Sequence, residues 1–267
     1  MIKRSFQLAI VAVALLTFNV NGEESLSARQ LVKKAELTAY YAGEDGRSEA
    51  RMLIIDNQGR KQLRQFTILR RDRDQAGEQD LMVFFSRPAD VRDTVFRVVK
   101  RTTSDDDRWL YLPGLDLVKR ISAGDKRTSF VGSHFFYEDV SGRNTEQDNF
   151  QRLGDTETHY RLAGIPKEPA SVEFSRYQVE IDKKTFIPTQ IEFYDRDDRL
   201  YRRVQALKVE EIQGFPTVVH SRVEDVQNGG ATEMQFRFVE YNLGLPESIF
   251  SERSLRTPPR QWLQLGQ

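Results

Sequence analysis

Thr232 to Leu243 reads TEMQFRFVEYNL. Met234, Phe236 and Phe238 alternate in it with Glu233, Gln235 and Arg237, the period of two that marks a strand with one apolar and one wet face. Working backwards, FPTVVHSRVEDVQ, RLYRRVQALKVEEI, PTQIEFYDRD and ASVEFSRYQVEID are further strand-like runs. Asn228-Gly229-Gly230, Gln213-Gly214, Arg196 to Asp198 and Lys183-Lys184 separate them. These are hairpin signals, and successive hairpins predict an antiparallel meander.

The first half of the chain has the same character. RSEARMLIIDNQGRKQLRQFTILRRDRD reads as two strands around the turn Asp56-Asn57-Gln58-Gly59, with Leu63, Phe66, Ile68 and Leu69 in the second. DLMVFFSRP, TVFRVVKR, RWLYLP and LDLVKRIS add four more, punctuated by Pro88, Asp105 to Asp107 and Pro113-Gly114. Ahead of them, SLSARQLVKKAELTAYY carries a helix: Ser27 and Gln30 form a capping-box pattern, and Ala28, Leu31, Val32, Ala35 and Ala39 make one apolar stripe. A short helix opens near Pro246, and a helical insertion is expected near Ser133 to Val140. The predicted class is α+β, mainly β: one large twisted antiparallel sheet whose apolar face needs a cover, since soluble monomers rarely expose such a patch.

The N-terminus bounds the compartment. Lys3 and Arg4 precede an uncharged, mostly apolar run from Phe6 to Phe18, with Val20 and Gly22 suited to the −3 and −1 positions of a signal peptidase. The run is shorter than the ~20 residues that cross a bilayer as a helix. Residues 1–22 are therefore expected to be a cleaved signal peptide, leaving 23–267 as a single periplasmic domain. Cleavage removes two basic residues from a chain of 40 basic and 40 acidic, leaving 38 against 40, or −2. Nothing in that balance suggests a nucleic acid partner. There is no cysteine, which excludes lipidation on an N-terminal Cys, and the mature length is sufficient to bury a core without disulfides.

The stretch that bears on function is SFVGSHFFYEDV, Ser129 to Val140. If Ser133 caps a helix, His134 and Glu138 fall at i and i+4, a spacing that can hold a metal for a hydrolase, with Asp139 nearby. The other histidines, His159 and His220, have no neighbour at ligand spacing. A Gly-x-Ser-x-Gly elbow, a phosphate-binding glycine loop and a dinucleotide fingerprint are all absent. A pair of carboxylates for glycoside hydrolysis is always available among 40 acidic residues. Against these stands an apolar reading. Phe130, Val131, Phe135, Phe136 and Tyr137 cluster in a glycine-bearing segment outside the strand pattern, as suits a lid over a one-sided sheet.

RWLYLPGLDLVKRIS followed by TSFVGSHFFYEDV resembles the outer-membrane lipoprotein-sorting family, the LolA/LolB-like proteins, and within it the subgroup found beside RND-type (MMPL-like) exporters. Trp109, Tyr111, Pro113, Lys119, Arg120 and Ile121 match the first part of the subgroup pattern. Ser129, Phe130, Gly132, Ser133, Phe135, Tyr137 and Asp139 match the second, and His134 stands where the pattern has Asp. The resemblance implies an unclosed half-barrel whose concave apolar face is roofed by helices and receives acyl chains. It implies a monomeric carrier with no cofactor and no catalytic or metal residues, whose partners are the acyl chains of a lipoprotein or lipid and an inner-membrane RND/MMPL-type transporter. On that reading Trp109, Tyr111, Met234, Phe236 and Phe238 line the cavity, while Phe130, Phe135, Phe136 and Tyr137 belong to its lid. A periplasmic adaptor without lipid cargo, or a metal-dependent hydrolase using His134 and Glu138, are the alternatives.

Overall fold

The computed structural model describes residues 26–73 and 77–263; the expected signal peptide lies outside them. Helix α1 (Ala28–Tyr40) begins at the cap read from the sequence: the Ser27 side chain accepts from the Gln30 amide, and the Gln30 side chain accepts from the Ser27 amide. Thirteen strands follow. They are β1 (Asp45–Ile55), β2 (Lys61–Asp72), β3 (Gln79–Arg87), β4 (Val95–Lys100), β5 (Asp107–Leu112), β6 (Leu117–Ile121), β7 (Asp148–Arg152), β8 (His159–Pro166), β9 (Arg176–Asp182), β10 (Pro188–Tyr194), β11 (Leu200–Ile212), β12 (Phe215–Asp225) and β13 (Ala231–Tyr241). Helix α2 (Tyr137–Ser141) lies between β6 and β7, and α3 (Arg253–Arg256) and α4 (Arg260–Leu263) end the described chain.

All strands join one antiparallel sheet in the order β6-β5-β4-β3-β2-β1-β13-β12-β11-β10-β9-β8-β7. The first six strands wind outward from the middle to one edge, and the last seven wind back from the other edge until β13 pairs with β1. The edges β6 and β7 are not paired with each other, so the sheet is an unclosed half-barrel, mainly β as its sequence predicted. The connection from β6 to β7 must cross from one edge to the other, and it does so over the concave face, carrying α2. This crossing strap, residues 122–147, contains the Ser129 to Val140 stretch.

The two halves of the sheet are covered differently. Strand β3 has seven consecutive buried residues, which requires apolar cover on both faces. On the concave side Leu81, Val83 and Phe85 join Met52, Phe66, Phe96, Phe130 and Tyr137 in one core cluster. On the convex side Met82 and Phe84 join Leu69, Val95, Leu245, Ile249, Phe250 and Leu255, so the chain after β13 packs as a second layer there. The later strands are covered on the concave face by α1, whose Leu31, Val32 and Ala35 meet Leu162, Val179 and Ile181.

Strand β8 departs from simple strand composition, since it contains Gly164 and ends at Pro166. A Cβ on Gly164 would come within 2.2 Å of the Tyr177 ring on the neighbouring strand. The glycine is there because the ring lies flat on its backbone.

Candidate functional site

Between the strap, the C-terminal turn of α1 and the middle strands lies a cavity of about 400 Å³, within the ~300–1,000 Å³ span of small-molecule sites. Its floor is built from concave-facing positions of neighbouring strands: Phe66 and Ile68, Leu81 and Val83, Val204 and Ala206, Met234 and Phe236. Phe135 and Val140 of the strap and Ala39 of α1 close it from above. The wall is predominantly aliphatic and aromatic, which is the chemistry of a site for an apolar chain.

The strap is held rigidly enough to serve as a roof. Val131 (φ 46°) and Gly132 (φ 78°) are both left-handed, a conformation that glycine adopts at no steric cost; they turn the chain back so that the Phe130 amide donates to the Phe135 carbonyl at 2.7 Å. Ser129 Oγ donates to the Ser133 carbonyl at 2.6 Å and Ser133 Oγ to the Phe130 carbonyl at 2.7 Å. Asp139 accepts from the Phe136 amide at 2.6 Å, which caps α2, and also pairs with Arg202 of β11. Every position of the sequence motif in this stretch thus has a folding role.

Phe130 and Tyr137 point down into the sheet. Phe130 is 1% exposed, and its ring lies 5.4 Å from Phe96, 5.6 Å from Tyr137 and 5.8 Å from Phe85, centroid to centroid. These two aromatics plug the core, Phe130 also reaching the cavity wall; Phe135 lines the cavity beside it. Phe136 is stacked between guanidinium groups, with Arg202 4.3 Å and Arg127 5.1 Å from its ring centroid.

A buried ion network anchors the far end of the strap. Glu138, 3% exposed, pairs with Arg127 and, at 3.4 Å, with Arg143. Arg143 continues to Asp148 of β7 at 2.8 Å, and Asp148 accepts from the Tyr177 hydroxyl at 2.8 Å. Burial pulls the Arg127 guanidinium down, but the Glu173 hydrogen bond and the Glu138 charge outweigh it and hold the group above its ordinary range. Burial, reinforced by the Asp148 charge, pushes the Tyr177 hydroxyl well above its usual range. The acidic end of the Ser129 to Val140 stretch is therefore an internal anchor, and Glu138 is not a surface contact.

The His134 and Glu138 geometry is not the one the spacing suggested. Helix α2 starts at Tyr137, so His134 precedes it and shares no helical face with Glu138. The His134 ring is bonded through Nδ1 to Thr232 Oγ1 at 2.8 Å, and burial holds its pKa below the ordinary histidine value. Among the described residues no group of three His, Cys, Asp or Glu side chains is placed to hold a metal ion.

The remaining sequence-predicted positions separate by face. Met234 and Phe236 line the cavity with Phe130 and Phe135. Trp109 and Tyr111 alternate with Leu110 and stand on the convex face, packed against the Phe250 and Leu255 layer. Phe238 also leaves the cavity, because the β1–β13 register slips between Arg47 and Glu49: Glu49 faces Arg237 while Arg47 faces Glu240. The extra residue is a β-bulge with Phe238 at φ 49°; it turns Phe238 outward, 53% exposed, and brings Val239 and Tyr241 to the cavity wall. Ile68, Val204, Ala206 and the end of α1 are cavity residues that strand alternation alone did not single out, since they become neighbours only when the sheet curves.

Residues 77–257 match a family model described as an uncharacterized protein. A DUF1329 family protein from Desulfovibrio piger is similar in structure, with 28% identity and a TM-score of 0.77 over 84% of this chain and 95% of that one. A domain named for outer membrane lipoprotein sorting, from Vibrio parahaemolyticus, is similar with 26% identity and a TM-score of 0.78 over 85% of this chain and 97% of that one. A LolA superfamily protein from Nitrosomonas europaea has the same fold at 17% identity, with a TM-score of 0.66 over 86% and 99%. No curated protein matches the chain.

Proposed function

Given that the chain belongs to the family whose model spans residues 77–257 and has the LolA-like fold, we propose that it is a periplasmic carrier that shelters acyl chains of a lipoprotein or lipid. The observation that carries this reading is the apolar cavity of about 400 Å³ beneath the strap. An acyl chain in water costs about 0.8 kcal/mol per exposed methylene, so a ~16-carbon chain needs shelter worth roughly 12 kcal/mol. A wall of Ile68, Val204, Ala206, Met234, Phe236 and Phe135 offers that shelter.

The open sheet suits release as well as capture. A closed barrel passes a chain only lengthwise through its mouth, whereas here the roof is a strap and a helix end. Transfer then follows whichever partner offers the better apolar surface. The motif resemblance points to an inner-membrane RND or MMPL-type transporter as a partner. One of the similar proteins is named for outer membrane lipoprotein sorting, in keeping with a carrier.

Mass spectrometry of lipids retained through a gentle purification tests the proposal. Acyl lipid in near-stoichiometric amount is the expected result. A folded protein that retains none and captures no fluorescent fatty-acyl probe overturns it.

A further inference from the structure

A second concavity, about 730 Å³, lies on the convex side of the sheet between β1, β2, β13 and the chain after β13. It differs from the acyl cavity in the state of its arginines: those at the acyl cavity, Arg47, Arg70, Arg127, Arg143 and Arg202, are all held in ion pairs. Arg51, Arg92, Arg237, Arg256 and Arg260 line the second concavity, against two carboxylates, Glu49 and Asp93. Glu49 is already engaged by Arg47 at 2.9 Å, and Arg256 by Asp116 at 2.9 Å. Most of the described arginines have a carboxylate partner; Arg51, Arg92, Arg237 and Arg260 are among those with none, and all four are exposed, while Arg87, Arg97, Arg196 and Arg253, also without one, are outside this lining.

The sheet itself sets the spacing of two of them. Arg51 faces Gln235 and Glu49 faces Arg237 across the β1–β13 ladder, so Arg51 and Arg237 are diagonal neighbours, ~7–8 Å apart. Glu49 lies between them but is held by Arg47, so their mutual repulsion is only partly offset. Beside them the bulge holds Phe238 in the left-handed region and out of the core, a backbone cost that concentrates at functional sites. Tyr111 supplies a second ring in the same groove.

We propose that this groove docks an acidic, extended peptide segment of a protein partner, its carboxylates on the arginine forks and one apolar side chain against Phe238 and Tyr111. The charge excess selects an anion, and planar guanidinium groups match carboxylates two oxygens at a time. The recess favours a peptide over a bilayer, because a flat membrane surface meets only the rim of a concavity in which an extended chain can lie. The site lies on the face opposite the acyl cavity, so a docked partner leaves the cavity free to load or discharge.

The test is fluorescence anisotropy with a labelled peptide of alternating glutamate and phenylalanine, against the same peptide with glutamine for glutamate. Binding of the acidic peptide, weakened by salt and weakened about tenfold in the Arg51→Glu, Arg237→Glu protein, is the expected result. Arg199→Glu on the distant β10–β11 turn should leave it unchanged. Arg92→Glu, in an exposed turn, serves if the double reversal fails to fold, with about a threefold loss expected. Equal binding of the glutamine peptide, or binding unaffected by the reversals, overturns the proposal. So does capture by phosphatidylglycerol vesicles alone, or self-association abolished by the same reversals. Fatty-acyl probe capture should persist in every variant, which separates failure of this site from failure of the carrier reading.

Discussion

Phe236 and Phe238 sit two residues apart on β13 and would share a face in a regular strand, yet the bulge sends one into the cavity and the other to the convex surface. Replacing each with aspartate therefore discriminates this geometry from simple alternation. An acyl chain laid against the Phe236 ring buries about three methylenes there, ~2.5 kcal/mol at 0.8 kcal/mol each, or about a 60-fold change in affinity. An aspartate at that position removes the contact and adds the desolvation cost of a carboxylate facing the chain, so a loss above about 100-fold is expected for Phe236→Asp. For Phe238→Asp, at a site already 53% exposed, the expected change is within about twofold. Titration of a fluorescent fatty-acyl probe into each purified variant measures both, with circular dichroism confirming that the sheet is intact. Equal losses in the two variants would refute the bulge argument, and no loss in either would refute the cavity.

Three further outcomes follow from the interior. Glu138→Ala takes one of two carboxylate partners from each of Arg127 and Arg143, which keep Glu173 and Asp148, so urea unfolding should show a loss of about 1–3 kcal/mol, below the ~3–5 kcal/mol for a buried charge left wholly uncompensated. Gly164→Ala drives a methyl into the Tyr177 ring and displaces its hydroxyl from Asp148; a loss of about 1–3 kcal/mol is expected, and a neutral result would mean that the ring does not lie on the glycine. For His134, burial lowers the folded-state pKa, partly offset by the Asp225 charge and reinforced by that of Arg202. The unfolded chain then binds more protons in the window between the depressed value and the ordinary one near 6.5, so stability rises with pH across it and falls as pH drops through it. His134→Gln should flatten that slope in denaturant titrations at several pH values, and an unchanged slope would remove His134 as its source.

Much of this architecture is written in local chemistry. Eleven of the thirteen strands appear in the sequence as runs bounded by Gly, Pro, Asp or Asn, and the α1 cap is explicit in Ser27 and Gln30. The two that escape, β7 and β8, are the polar edge strand DNFQR and a strand with Gly164 and Pro166 inside it, whose composition makes sense only once the Tyr177 ring is in place. The cavity was half legible: Met234, Phe236 and Phe135 were readable as apolar residues with a face to fill. Trp109 and Tyr111 were not separable from them, because a strand shows that two faces differ but not which one is concave. LMVFF in β3 carried the relevant signal, since a run without alternation implies a second cover on the convex side.

The strap is where topology and function meet. Because it joins β6 to β7, both its ends are fixed in the sheet edges, and its middle is pinned by Phe130 and Tyr137 in the aromatic core and by the Glu138 ion network. Lifting it whole would expose two aromatic side chains at about 1.5–3 kcal/mol each and would also break the buried pairs. Swinging only the Phe135 side chain and the end of α1, which close the cavity without filling the core, avoids those costs. Entry of a chain is therefore expected at the junction of α1 and Phe135, with residues 129–134 and 137–141 held still. Slow amide exchange across α2, beside faster exchange at the C-terminal turn of α1, is the pattern this reasoning requires; uniform fast exchange across the strap would contradict it.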